Sequence, residues 1–505
     1  MTSSSLTCTR ADILYVHPAK QEVDARYDEY VASPTYPLIP VGVVGLANML
    51  IGEGWALRGL NLPLELLMRP RFNLREWLAA QGQPRLVMVD LHWYEHSFGA
   101  LDVARASKSV YPNVPVVLGG LTASRFARSI LQRFPEVDYV IRGDAERPLK
   151  LLAEIRCGSG AWALASVPNL TYRDGHEIRE NARTYVATSA DLDELDLVSL
   201  DFLEHGGNYQ GIQYTGAGLI RFDEVRLKGH WLCNGRGCVF DCSYCGGART
   251  AQRKLAGRDG VVLRSTQRVL DDIARLKEMG VQQVSFTLDP AVLGPEYWKP
   301  LLSGLRDRGL TIGIYNEFFQ LPSDEFLDGL AAAADLEHTE VAISPLSGDE
   351  RVRRLNGKAF TNADLFRVVD ALRGRQVRLF VYFSLNLPGE TPKTFRETLR
   401  LAEQIGRRYP AGLLRMINKC HTLDPASPMS EAPGKFGIRT EYRTFADYYR
   451  YCEQTGWQAR LAARGTLRGF GAVSSKTTEI ESMARQWDAF AEAQPFRCFA
   501  VPKGW

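Results

Sequence analysis

Three cysteines fall within eight residues, Cys238-Val-Phe-Asp-Cys242-Ser-Tyr-Cys245, and Gly246 and Gly247 follow at once. Thiolates at this spacing on one loop hold three corners of a four-iron cluster, whereas a structural zinc site or a fully ligated cluster wants a fourth protein ligand. A set of three leaves one iron open to a substrate or cosubstrate. A zinc knuckle would need a second cysteine pair or a nearby histidine pair, and the flanking sequence offers neither. Cys233, five residues upstream, is either a fourth ligand or a packed thiol.

The order Cys238-x-x-x-Cys242-x-Tyr244-Cys245, with an aromatic residue just before the last cysteine, resembles the cluster loop of the radical S-adenosylmethionine (SAM) superfamily. The resemblance implies that SAM chelates the open iron of a [4Fe-4S] cluster and that an electron from the cluster cleaves it to a 5′-deoxyadenosyl radical. It also implies that Tyr244 lies near the adenine and that the backbone at Gly246 and Gly247 approaches the SAM amino group, as glycines permit. Where the family usually carries Glu after the two glycines, this chain has Ala248.

The whole chain is compatible with such chemistry. Its 505 residues make roughly three domains the starting expectation. With 45% hydrophobic and 24% charged residues it has the composition of a globular protein, and a net charge of +3 calls for no polyanionic partner, so nucleic acid is not expected. The opening Met1-Thr-Ser-Ser-Ser-Leu-Thr7 does not read as a targeting segment and no apolar run reaches membrane-spanning length, so a cytoplasmic protein without a membrane partner is expected. The remaining cysteines, at positions 8, 157, 420, 452 and 498, are scattered unlike a secreted disulfide framework. A reducing compartment also suits an oxygen-sensitive cluster.

The elements that must position the loop are legible as alternating strands and helices. Ile13-Leu-Tyr-Val16, Leu86-Val-Met-Val-Asp90, Val116-Val-Leu118 and Tyr139-Val-Ile141 are short apolar runs of strand length, and Pro40 opens a helix that runs to Leu50. Such alternation predicts a parallel, doubly wound sheet that binds ligands beyond the carboxyl ends of its strands. Those ends are followed by Leu91-His92-Trp93, by Gly119-Gly120-Leu-Thr122 and by Gly143-Asp-Ala-Glu146. Alone, these are either tight turns or a cradle for a large planar or phosphate-bearing ligand.

Ahead of a radical SAM loop, residues 1–150 resemble the Rossmann-like cobalamin-binding domain of the cobalamin-dependent radical SAM enzymes. The resemblance implies a corrinoid over the strand ends, its nucleotide tail passing Gly119 and Gly120, with Leu91, His92, Trp93, Thr122, Gly143 and Glu146 also at the cofactor. Asp90-Leu-His92-Trp-Tyr-Glu95 is similar to the Asp-x-His-x-x-Gly sequence that supplies an axial histidine in other cobalamin proteins, but it ends in Glu. Contact of His92 or Trp93 with the lower corrin face is therefore expected in place of cobalt coordination.

Residues 151–215 read as a connector. From 216 to 425 the alternation resumes, with Ser265 and Thr361 as helix caps and strands ending at Asp289, Asn316-Glu317, Ser344 and Asn386. The block resembles the partial (β/α)6 barrel of the radical SAM fold, and Leu387-Pro-Gly-Glu-Thr391 is an element frequent in its cobalamin-bearing branch. Where many members use a Glu to hold the SAM ribose, this chain reads Ser344-Pro-Leu-Ser347, so Ser344, Ser347 or Glu317 is expected to take that part. Asp289, Tyr315, Glu317, Ser344 and Arg415 are the polar groups expected inside the barrel. Of these, Asp289, Tyr315 and Glu317 are the candidate catalytic acids and bases. Residues 426–505, with aromatics at helical spacing, read as a small mainly helical C-terminal domain over the barrel mouth.

The resemblance implies a methyltransferase acting on an unactivated carbon or a phosphinate through a 5′-deoxyadenosyl radical and methylcobalamin. Its cofactors would be the cluster, SAM and cobalamin. Its partners would be a small-molecule or peptide substrate and an external electron donor such as flavodoxin or ferredoxin. The same domain pair also serves ring-forming and rearranging reactions without methyl transfer. A reading from another class is a corrinoid-binding sensor or carrier with a structural cluster.

Overall fold

Leu14 and Val16 face one side of the first strand and Ile13 and Tyr15 the other, and all four are buried. Burial on both faces is the mark of a parallel sheet covered by helices. In the computed structural model, which describes residues 11–19, 37–69, 71–158, 162–215, 227–454, 470–472 and 475–501, this sheet forms as expected. Cys8 and the opening residues lie outside that description, and the other eight cysteines are free thiols.

Strands β1 (Ile13–His17), β2 (Leu57–Asn61), β3 (Leu86–Asp90), β4 (Val116–Gly119) and β5 (Tyr139–Ile141) run parallel in the order β2-β1-β3-β4-β5. The order reverses between β1 and β3, where doubly wound sheets open a crevice at their carboxyl ends. An antiparallel hairpin, β6 (Leu170–Asp174) and β7 (Glu177–Glu180), extends the sheet beyond β5. The segment read as a connector thus enlarges the first sheet. Its later part, through Leu192, Leu195, Leu197 and Val198, packs into the core of the second.

The second sheet begins with β8 (Gly229–Leu232). A short antiparallel ladder, β9 (Gly235–Gly237) and β10 (Val261–Leu263), then frames the three cysteines. Strands β11 (Gln283–Phe286), β12 (Gly313–Phe318), β13 (Glu340–Leu346), β14 (Arg378–Leu385) and β15 (Leu414–Cys420) follow in parallel, separated by helices. The caps behave as the sequence predicts. Ser265 accepts from the Arg268 amide at 3.3 Å, and Thr361 and Asp364 form a reciprocal capping box.

The tail is mainly helical but divides between the two sheets. After a small ladder of β16 (Ile438–Thr440) and β17 (Phe470–Ala472), β18 (Arg497–Phe499) pairs in parallel with β15 and adds a seventh strand to the barrel. The helix Thr477–Glu492 lies on Pro392–Arg408, and Trp487 Nε1 donates to the Phe499 carbonyl at 2.8 Å. The helix Phe445–Gln454 instead reaches back to the first domain, where Phe445 and Tyr448 join Phe126 and Tyr94 in one core. The aromatic face expected in the tail therefore serves as a strap between domains. No helix among the described residues is long and apolar enough to cross a membrane.

Phe445 is fully buried against Phe126 and Phe134. Phe445→Ala is expected to lower stability by about 3 kcal/mol through the cavity it leaves, read as an earlier midpoint in urea unfolding.

Candidate active site

Close approach fixes the cysteine loop. The Cys238 amide donates to the Gly260 carbonyl at 3.2 Å, and Gly237 adopts φ 104, where a Cβ would lie 2.1 Å from that same oxygen. Ser243 Oγ bonds Asn356 Oδ1 at 2.5 Å, and Gly357 leaves room for Cys242, whose Cα would be 2.8 Å from an added Cβ. The three Sγ atoms, all among the described residues, do not close to within 4.8 Å of one another as ligands of a single ion would. Three free thiols on one loop are the donor set that a four-iron cluster takes. Cys233 donates to the Gly235 carbonyl and packs in the barrel core, so it is a packed thiol.

The electrostatics of the loop must be worked against before metal binds. Burial pushes the Cys245 thiol up to about 12 and raises Cys238, while the amides of Gly247 and Phe240 donate to their sulfurs at 3.3 and 3.4 Å and favour the thiolates. Lys358, 5% exposed, donates to the Phe319 carbonyl at 2.6 Å. Burial lowers its pKa, and Cys242, Asp289, Cys245 and Glu317 around it oppose that shift. It is the cation that the sulfurs face, and only its place in an Asn-Gly-Lys turn marks it in the sequence.

Tyr244 stacks on His421 with ring centroids 4.5 Å apart and planes at 29°. Burial lowers His421 to about 4, so its imidazole is neutral. This aromatic pair beside the cysteines offers a flat face on which a planar ring could stack. The Gly246 amide donates to Asp424 Oδ2 at 3.1 Å, and an added Cβ there would lie 2.9 Å from the Pro425 carbonyl. Burial, with Glu95 of the first domain adding to it, raises Asp424 to about 7. Gly247 has ordinary room around it. His421 and Asp424 lie after the sixth barrel strand, and nothing local in the sequence marks them.

A cavity of about 1120 Å³ separates the carboxyl ends of the first sheet from the barrel. On the first side Asp90, His92, Trp93, Gly119 and Gly120 line it. Its size exceeds the roughly 300–1,000 Å³ usual for one drug-sized ligand. Gly119 supplies an open flank, since a Cβ added there meets nothing within 4 Å. Gly120 has a different duty, because at φ 110 its missing Cβ would sit 2.7 Å from His92 Cα. His92 is half-buried, its loss of solvation lowers it to about 4, and it faces the cavity as a neutral imidazole set edge-on to Trp93. Beneath it Asp90 accepts from Tyr15 Oη at 2.7 Å and lies 2.9 Å from His17 Nδ1.

Four of the expected cofactor contacts have other duties. Leu91 is buried in the core, and Thr122 donates through Oγ1 and its amide to the His92 carbonyl, holding that loop from behind. Gly143 lines the cavity, but its bare Cα is needed where an added Cβ would lie 3.0 Å from Ala256 Cα. Glu146 also lines the cavity, and its carboxylate is held in an ion pair with Arg236 at 2.6 Å. Asp144, beside it, pairs with both Arg236 and Arg258.

Inside the barrel, Tyr315 Oη donates to Glu317 Oε1 at 2.9 Å and lies 3.5 Å from Tyr382 Oη, and all three residues line the cavity. Arg415 also lines it, with Nε donating to Glu340 Oε1 at 2.7 Å. Asp289 is 1% exposed and does not reach the cavity. It accepts from Asn316 Nδ2 and from the Ala291 and Phe319 amides, so it clasps β11 to β12. Burial raises it to about 6 against those donors. Ser347 is fully buried, takes the Asp349 amide and meets Thr398, and neither it nor Ser344 lines the cavity.

Two family models match the chain, the B12 binding domain over residues 28–153 and the radical SAM superfamily over residues 235–402. An uncharacterized methyltransferase of Pyrococcus horikoshii is 23% identical over 319 residues, covering 62% of each chain. The anaerobic magnesium-protoporphyrin IX monomethyl ester cyclase of Cereibacter sphaeroides is 26% identical over 313 residues, 60% of this chain and 47% of that one. The chain thus spans less than two thirds of the length of either relative. Among solved structures, the radical SAM methyltransferase TsrM of Kitasatospora setae, with cobalamin and a [4Fe-4S] cluster bound, superposes with a TM-score of 0.63. The match covers 87% of this chain and 85% of that one at 18% identity, a likeness of fold.

Two outcomes follow from this geometry. In cluster-free protein, Lys358→Met removes a positive charge that favours the Cys238 thiolate, so the pH midpoint of Cys238 alkylation should move upward and Lys358→Arg should restore it. Gly119→Ala should leave thermal stability unchanged yet lower the cobalamin retained on gel filtration. Gly120→Ala should lower both.

Proposed function

We propose that this chain, which joins a B12-binding domain to a radical SAM domain and so belongs to the cobalamin-dependent radical SAM family, is a methyltransferase. Its acceptor would be an unactivated carbon or a phosphinate centre of a small molecule or peptide. The observation that carries this reading is the single cavity onto which the first sheet's strand ends and the barrel interior both open. When bound, the [4Fe-4S] cluster, SAM and cobalamin supply one-electron cleavage of SAM and a methyl carrier.

The chain's own residues would bind, orient and shield. Cys238, Cys242 and Cys245 hold the cluster, with Lys358 as the counter-charge and the Tyr244–His421 stack flanking the adenine. Neutral His92, Trp93 and the open flank of Gly119 receive the corrin. Glu317 is exposed to the cavity and steadied by Tyr315 Oη, so its carboxylate is the group placed to accept a proton from substrate. Trp231, Phe380 and Phe499 wall the barrel end of the cavity with apolar surface, which keeps water from a reactive intermediate. An external low-potential donor such as ferredoxin or flavodoxin completes this reading.

Similarity to a cyclase supports a second reading, ring formation without methyl transfer. Anaerobically reconstituted protein is expected to cleave SAM to 5′-deoxyadenosine, and Cys242→Ala should reduce this to background. Failure of the intact protein to do so would favour a carrier with a structural cluster. With SAM deuterated in its methyl group, the methyltransferase reading requires a labelled product, and an unlabelled product would establish the cyclase reading.

A further inference from the structure

A polar side chain with no bond to the protein itself faces the cavity. Gln252 sits on the helix Arg249–Ala256, which starts directly after the cysteine loop, and it lines the cavity half-buried. Among the described residues its carboxamide makes no hydrogen bond. Buried polar groups are ordinarily paired, so a carboxamide left open at a cavity wall points to a partner supplied by the ligand.

Its surroundings are fixed by close packing. Gln252 Nε2 lies 3.8 Å from the position a Cβ would take on Gly247, and the same position is 3.8 Å from Cys245 Sγ and 3.9 Å from Leu121 Cδ1. The gap left by Gly247 is thus bounded by a sulfur of the cysteine loop, by Gln252, and by the residue that follows Gly119 and Gly120 in the first sheet. The helix decides which way the carboxamide faces. Ala251 and Leu255 share an apolar cluster with Leu121, so that side of the helix docks on the helix Leu121–Arg133. Gln252 and Ala256, four residues apart and therefore on one face, both line the cavity. Ala256 Cα lies 3.0 Å from where a Cβ on Gly143 would be, so this face is turned to the strand ends of the first sheet. None of the three loop cysteines lines the cavity, which places Gln252 on the cradle side of the loop.

We infer that the Gln252 carboxamide holds a carboxamide side chain of the corrin rim, tying the cofactor of the first sheet to the helix that continues from the cysteine loop. Corrin carries neutral primary amides around its edge, and two primary amides pair by donating N–H to each other's carbonyl. The neighbouring Arg236 and Arg258 are engaged by Asp144 and Glu146, so a neutral partner suits this wall. The inference rests on the cobalamin-dependent reading above and adds to it a contact from the barrel side.

Binding without turnover tests this. Cluster-loaded protein freed of corrinoid is dialysed anaerobically to equilibrium against cobalamin. Gln252→Leu should bind it about tenfold more weakly, as expected when a hydrogen-bonded amide pair is lost, with SAM binding unchanged. A second arm uses the pool of cobalamin monocarboxylates made by hydrolysing one side-chain amide per molecule, and chromatography reads the isomers in the bound fraction. Relative to the wild type, Gln252→Lys should enrich one isomer about tenfold, because its ammonium meets the carboxylate that replaces the partner amide.

Cobalamin binding by Gln252→Leu that matches the wild type overturns the inference, as does a loss of SAM binding in its place, which would assign the carboxamide to SAM. An isomer profile that Gln252→Lys shares with the wild type overturns it too. That arm holds even where a variant is less stable, because it compares isomers on one protein. A wild type that takes up no cobalamin overturns the inference together with the reading on which it rests. Since dialysis reads binding alone, a chain that transfers no methyl group can still pass this test, and one that methylates can still fail it.

Discussion

Four charges, three buried and one half-buried, hold the two sheets to one another. Asp144 and Glu146 follow β5 of the first sheet, and Arg236 and Arg258 come from the segments that frame the cysteine loop. Two acids meet two bases, so the group is neutral as a whole, and loss of any one member would leave a buried charge uncompensated at a cost of about 3–5 kcal/mol. Burial lowers Arg236 most, yet Glu146 and Asp144 beside it raise it above the ordinary arginine value. Because Arg236 stands two residues ahead of Cys238, this cluster sets how far the cysteine loop lies from the strand ends of the first sheet. A desolvated ion group is a poor source of net stability but a specific one, since few other placements of the two sheets would satisfy it.

The tail makes the second tie. Phe445 and Tyr448 add to the core of the first domain, while Trp487 and β18 add to that of the barrel, so one stretch of chain is anchored in both. Polar contacts fix the register of the domains and apolar burial supplies the energy that keeps them together.

What the sequence made legible was whatever depends on neighbours along the chain. The cysteine spacing, the apolar strands, the Ser265 and Thr361 caps and the Gly119-Gly120 turn are all local patterns, and all are present in the structure. Contacts between distant segments were not legible. Lys358 meets Cys242 across more than a hundred residues, and His421 meets Tyr244 across still more, with no pattern at either position to announce the encounter. For the same reason Asp289, Ser347, Leu91 and Thr122 sit at strand ends, where functional side chains collect, yet each is turned to hold a loop or fill a core. Position at a strand end says where a residue is, while its rotamer and partners decide what it does.

The seventh strand shows how the two kinds of information meet. Cys498 and Phe499 read as an unremarkable end to a helical tail, but pairing of β18 with β15 brings Arg497 level with Arg415 and turns Phe499 toward Phe380. The two edges of the second sheet, β8 and β18, remain unpaired with each other, so the barrel is open on one side. Through that opening its interior and the cradle of the first sheet share one cavity. A closed barrel would bury its inner polar groups among themselves. The open one leaves Glu317 and Arg497 facing the same space, and the distance between them is set by the strands themselves.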